Sequence, residues 1–193
     1  MHESIINYIR KYSTIPFTEA EIEVIKEVFA PKKIRKRQYL LQEGEVCKHA
    51  AFIVKGAMRQ YTVDEKGAVH ISRLFLENWW VTDRESYAKL TPSLYCIDAW
   101  EDCNVLLVTK GDLENRLMPM PAINDTIRKV DENFAIAVQK RVASTSLPAE
   151  ERYAELMKSN PEFLLRFPQH IIASYLGVSR ETLSRARNQA LRK

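Results

Sequence analysis

The chain has 193 residues, of which 46% are apolar and 28% charged, with a formal net charge of +4. That balance belongs to an ordinary globular protein with room for one large domain or two modest ones. Apolar runs such as Leu74–Leu76 are far too short to cross a bilayer, and the opening His2-Glu3-Ser4 carries no basic-then-apolar leader, so a cytoplasmic protein with no membrane partner is expected.

In chain order, the first thirty residues read as two short helices. Ile5, Ile6 and Ile9 share a face in the first. The second opens with Thr18 and Glu21, a capping box, and its apolar face is Ile22, Ile25, Val28 and Phe29. From about Ile34 to Val108 the texture changes to short β-type runs, among them Ala51–Val54, Met58–Val63, Val69–Phe75 and Val105–Val108. Gly44, Gly56, Gly67 and Asn78 sit where turns need left-handed backbone. Evenly punctuated short strands predict a small antiparallel barrel or sandwich. Cys47, Cys96 and Cys103 form no CxxC pair, and the four histidines have no zinc-ligand spacing. No metal, cofactor or catalytic constellation is expected, and an enzyme is not predicted.

After Pro119 and Pro121 the pattern becomes helical. Ile123, Ile127, Val130, Phe134 and Ala137 step by four and three, the narrow stripe of a coiled-coil seam. A helix over 121–146, about 39 Å long, is predicted to join two copies along that stripe. The alternative is that the stripe packs on its own barrel. Pro148 starts a further helix and Asn160-Pro161 ends it.

The segment from Gln169 to Arg187 fits a helix-turn-helix. Ala173 is small enough for two helices to cross closely, and Gly177 supplies the positive φ of the turn. Ile172, Leu176, Val178, Leu183 and Ala186 form the small core. Ser179 caps the second helix and leaves Arg180, Glu181 and Arg185 outward, near the end that enters a major groove. Charge agrees with this placement. From Leu176 to Lys193, Arg180, Arg185, Arg187, Arg192 and Lys193 stand against Glu181, so this tail holds the whole excess of +4. A neutral body with a basic end is expected of a protein that meets a polyanion.

Ser179-Arg180-Glu181-Thr182-Leu183-Ser184-Arg185 resembles the recognition helix of the Crp/Fnr superfamily, relatives of the catabolite activator protein. Leu40-Leu41-Gln42-Glu43-Gly44-Glu45 with Ala51–Gly56 is similar to the family's barrel signature, and Asp64-Glu65-Lys66-Gly67 to its hairpin turn. The resemblance spans nearly the whole chain and is nearest to Bacteroidetes-type members. It implies an α+β protein in three parts: a cyclic-nucleotide-binding-like antiparallel β-barrel of the jelly-roll type with its N-terminal helices (1–120), a dimerisation helix (121–146) and an all-α helix-turn-helix domain (147–193) lacking a full wing. It further implies a homodimeric transcription regulator on palindromic double-stranded DNA, with TGTGA-like half-sites. RNA polymerase and a small-molecule effector are the other partners it admits. Arg180, Glu181 and Arg185 would read bases, and Ser179, Thr182, Arg187, Arg192 and Lys193 would touch the backbone.

Two departures modify that expectation. In cyclic-AMP-binding members a Gly-Glu pair and an Arg-Ser pair hold ribose and phosphate; here Thr82-Asp83 and Ser93-Leu94 occupy those places. A buried phosphate without a cation is costly, so cyclic AMP in the usual mode is not expected. Trp79, Trp80, Tyr95, Thr82, Asp83 and Ser93 are left either to line a pocket for a less charged effector or, in the case of the rings, to fill the barrel. The cysteine cluster of iron–sulfur members is also missing. The competing reading is a small-molecule-binding or protein-interaction module whose helix-turn-helix no longer binds DNA.

Overall fold

The computed structural model describes residues 1–190. They form two compact units, residues 1–60 with 75–133, and residues 61–74 with 134 onward.

The first unit begins with α1 (His2–Tyr12) and α2 (Glu19–Val28). The capping box forms as the sequence predicts: the Glu21 amide donates to Thr18 Oγ1 at 3.2 Å and the Thr18 amide to Glu21 Oε2 at 2.7 Å. Such a cap stabilises a helix start by about 1 kcal/mol.

Eight strands follow: β1 (Ala30–Ile34), β2 (Tyr39–Leu41), β3 (His49–Lys55), β4 (Met58–Val63), β5 (Val69–Phe75), β6 (Trp80–Val81), β7 (Cys96–Ala99) and β8 (Cys103–Thr109), with α3 (Arg84–Lys89) between β6 and β7. They form two four-stranded sheets, ordered β1-β8-β3-β6 and β2-β7-β4-β5. Of the barrel and the sandwich that the sequence leaves open, the structure takes the two-sheet jelly roll, and the barrel is not closed. Among the described residues no ladder joins the two sheets. Two of the edges are short, β6 with two residues and β2 with three, and β1 carries Pro31, Lys32 and Lys33, which discourage further pairing.

Between the sheets pack Ala51, Ile53, Val81, Cys103 and Val105 from one side and Leu41, Met58, Phe75, Ile97 and Ala99 from the other. The outer face of the first sheet, with Ala50, Phe52, Leu106 and Val108, is covered by Ile5, Ile6, Ile9, Ile25 and Phe29 of the N-terminal helices. With both faces covered, β3 is buried from Ala50 to Ile53 and does not alternate. Gly56 follows it at φ +103°, where a Cβ would lie 2.6 Å from Cys103 Sγ and 2.7 Å from the Asp102 carbonyl oxygen. No other residue fits that turn.

After β8, α4 (Lys110–Asp112) runs into a π-helical turn (Leu113–Leu117), and then α5 (Pro121–Ser144) begins. The second unit holds the β4–β5 hairpin from Tyr61 to Leu74, the end of α5, α6 (Ala149–Ser159), α7 (Pro161–Arg166), α8 (Gln169–Leu176) and α9 (Arg180–Ala190). Neither α3 nor α7 is foreseen in the sequence. Asn160 and Pro161 end α6 as the sequence predicts, and Pro161 also supplies the first turn of α7. Among the described residues no helix is long and apolar enough to cross a membrane, and no three His, Cys, Asp or Glu side chains gather as metal ligands.

Candidate nucleic-acid interface and effector cavity

Helices α8 and α9 are joined at Gly177, which ends α8 with φ +67°. Ile172, Ala173, Leu183 and Ala186 are buried at their crossing, and Leu176 and Val178 are half-buried. Beneath them, Phe163 of α7 meets the rings of Phe167 at 5.8 Å and Tyr175 at 5.7 Å, both edge to face. Two arginines from other helices finish the C-terminus of α8. Arg141 donates to the Tyr175 carbonyl at 2.9 Å, with its guanidinium 3.9 Å from the centre of that ring. Arg152 donates to the Leu176 carbonyl at 2.6 Å. Cations there satisfy orphan carbonyls and oppose the negative end of the helix dipole.

At the start of α9, Ser179 Oγ accepts the Thr182 amide at 3.1 Å. Arg180, Glu181 and Arg185 are exposed, and Thr182 and Arg187 are half-buried. The Glu181 carboxyl is held below its ordinary range by its own backbone amide first, then by the Ser179 hydroxyl and the charges of Arg180 and Arg185. It therefore stays an acceptor, the form suited to a cytosine amine. Exposed Asn188 lies one and two turns on from Arg185 and Glu181, on the same stripe. Arg192 and Lys193 lie outside the described residues.

The six residues assigned to an effector pocket do not converge on one wall. A cavity of about 440 Å³, open to solvent, is lined by Leu40, Leu41, Cys47, His49, Ile97 and Thr82, among others. Thr82 Oγ1 lies 3.3 Å from Cys47 Sγ. Asp83 and Ser93 are buried and bonded to each other: Ser93 Oγ donates to Asp83 Oδ2 at 2.7 Å, while Asp83 Oδ1 accepts the Glu85 amide at the start of α3. Ser93 Oγ also accepts the Tyr95 amide at 3.0 Å, and Tyr95 itself is half-buried. The tryptophans part: Trp79 packs on the core between the sheets, whereas Trp80 lies on the opposite face against Phe52 at 5.4 Å and Phe29 at 6.0 Å.

Along α5, Ile123 is buried in the first unit's core, with Ile127 and Val130 packed half-buried against it. In the second unit Phe134 lies under the Arg73 guanidinium at 4.7 Å and Ala137 is exposed. Sequence reasoning passes over Ser174, Arg141 and Arg152, which hold α8; no local pattern marks them.

A jelly roll followed by a long helix and a helix-turn-helix defines a class, the sensor-type transcription regulators. The comparisons agree with that architecture. Residues 31–118 match the family described as cyclic nucleotide-binding domain. The chain is 28% identical over 187 residues to the fumarate and nitrate reduction regulatory protein of Escherichia coli K12, covering 89% of this chain and 74% of that protein. In structure it is similar to FixK2 from Bradyrhizobium japonicum, with TM-score 0.71, 21% identity and 84% of each chain covered. It is also similar to a mutant of CooA from Carboxydothermus hydrogenoformans, with TM-score 0.68, 17% identity, and 93% of this chain and 81% of that chain covered. Over most of its length the chain is thus similar to transcription regulators of the Crp/Fnr type, and its fold is theirs.

Proposed function

We propose that the protein is a homodimeric, sequence-specific DNA-binding regulator built in three parts, residues 1–120 as sensor, 121–146 as dimerisation helix and 147–193 as DNA-binding head, and that it works in the cytoplasm. One observation carries the reading: α9 keeps Arg180, Glu181 and Arg185 exposed on one side while Leu183 and Ala186 are buried on the other. The two arginines can bond guanine O6 and N7, Glu181 can accept from cytosine N4, and Ser179, Thr182, Arg187, Arg192 and Lys193 contact the phosphates. In a symmetric dimer the two recognition helices lie about 34 Å apart, one turn of DNA, on a palindrome with TGTGA-like half-sites. RNA polymerase is the partner such a regulator would address.

The effector is a small molecule other than a cyclic nucleotide held in the family's usual way. The buried Asp83–Ser93 pair supports this, because an aspartate already bonded to a serine presents negative charge where a phosphate needs donors. The cavity beside Thr82 is of a size that suits a small ligand.

Competition titrations of palindromic against scrambled duplexes, at several salt concentrations, test the DNA reading. Arg185→Ala is expected to cost about 1–3 kcal/mol on the cognate site and to relax discrimination at one base pair per half-site. Equal weakening on cognate and scrambled DNA would mean that the helix grips phosphates without reading bases.

A further inference from the structure

We propose that Ser174 is a positioning residue of the DNA-binding head, clamping α8 to the edge of the β4–β5 hairpin; this rests on the DNA-binding reading above. The Ser174 hydroxyl accepts the Ile71 amide at 2.9 Å and donates to the Val69 carbonyl oxygen at 2.9 Å. In an extended strand the C=O of one residue and the N–H two residues on point the same way. One hydroxyl, being both donor and acceptor, can thus stand in for a neighbouring strand at the β5 edge. Ile71 is buried, so without the hydroxyl its amide would have neither this partner nor ready access to water.

The strand that Ser174 grips is itself stiff. At the hairpin tip the Asp64 amide donates to the Ala68 carbonyl at 3.0 Å and the Gly67 amide to the Asp64 carbonyl at 2.9 Å. Asp64 Oδ1 accepts the Lys66 and Ala68 amides, and Oδ2 lies 2.9 Å from His70 Nε2. Farther along β5, Arg73 covers the Phe134 ring of α5. With Arg141 and Arg152 on its C-terminus, α8 is held by three separate parts of the unit. With the clamp made, Arg180, Glu181 and Arg185 remain exposed. The clamp therefore fixes the aim of an open recognition helix and does not cover it. A head held in one orientation loses less conformational freedom on a site of fixed spacing.

The test uses the full chain with Ser174→Ala and Ser174→Thr, the latter keeping the hydroxyl, each checked by thermal melt. Hydrogen exchange reads the clamp: Ile71 should be protected in the wild type and in Ser174→Thr and unprotected in Ser174→Ala, with the Ala68 amide unchanged in all three. Titrations use palindromic duplexes at the optimal half-site spacing, the same duplexes with a base pair added or removed, and a single half-site. Ser174→Ala should weaken binding at optimal spacing by roughly three- to tenfold, flatten the dependence on spacing and leave the single half-site unchanged. Ser174→Thr should restore the wild-type profile. A wild-type spacing profile in Ser174→Ala overturns the proposal, as does an Ile71 amide that exchanges freely in the wild type. A wild type that binds no duplex overturns the DNA reading and with it the positioning role, and Ile71 protection then identifies the clamp as structural only.

Discussion

Cys103 illustrates how one side chain can be both inert and consequential. Its sulfur is buried between the sheets, 3.4 Å from the Ala57 carbonyl oxygen and 3.2 Å from that of Glu101. Burial above all, with the nearby negative charge of Glu101, pushes the thiol up from 9.0 to about 12. A raised pKa means that the folded state holds the proton more tightly than the unfolded chain. The stabilisation is therefore complete below pH 9 and is lost as pH rises from 9 toward 12. Thermal melts of wild type and Cys103→Ala across that window should show a steeper alkaline decline in the wild type. Parallel curves would mean that the thiolate is accommodated in the fold. Gly56 shares the spot, since its missing side chain leaves the space that this sulfur occupies.

At the scale of elements, α5 divides its work along its length. In the first unit Ile123, Ile127 and Val130 commit their apolar surface to the protomer's own core, the alternative reading of the stripe for that part of the helix. In the second unit Ile136, Val138 and Val142 are 51%, 44% and 65% exposed. Val138 and Val142 are four apart and lie on one face. We therefore expect the dimer contact of the proposed regulator to concentrate there. Val138→Asp with Val142→Asp should convert a sedimenting dimer to monomer at tens of micromolar while leaving the protomer's melt nearly unchanged, because exposed positions tolerate charge but an apolar interface does not. Ile127→Asp would break the protomer as well and is the poorer probe. A double variant that still sediments as dimer would move the interface elsewhere.

For the molecule as a whole, the proposed sensor part is not expected to take the ligand that its matching domain family is named for. Asp83 and Ser93 are each other's partners across ten residues, and neither brings positive charge. Millimolar cyclic AMP should leave the melting temperature and the DNA affinity unchanged. A ligand present at a hundred times its Kd would add about 2.7 kcal/mol, which a melt detects easily. A saturable rise would show that a cyclic phosphate finds donors in spite of the aspartate. The cavity beside Thr82 gives a screen of less charged small molecules a defined place to report on, through substitution of Cys47 or Thr82.

The features legible in the chain alone are local. The Thr18–Glu21 cap, the Asp64–Gly67 turn, the Ala173 and Gly177 positions of the helix-turn-helix and the outward placement of Arg180, Glu181 and Arg185 each depend on residues a few places apart, whose backbone needs are written in their own chemistry. Most of the strands were legible for the same reason, from turn residues between β-type runs, but β1 with its Pro31 and the two-residue β6 were not. Whether those strands close into a barrel became clear from the packed fold alone, because edge pairing depends on lengths and neighbours that periodicity does not encode. The packed fold also separated adjacent Trp79 and Trp80, the first against the core between the sheets and the second against Phe52 and Phe29. And it brought Ser174 to Val69 and Ile71, more than a hundred residues away in the chain. A serine on a helix surface has no sequence signature for a strand edge; its partner exists only when two remote elements have already been packed together.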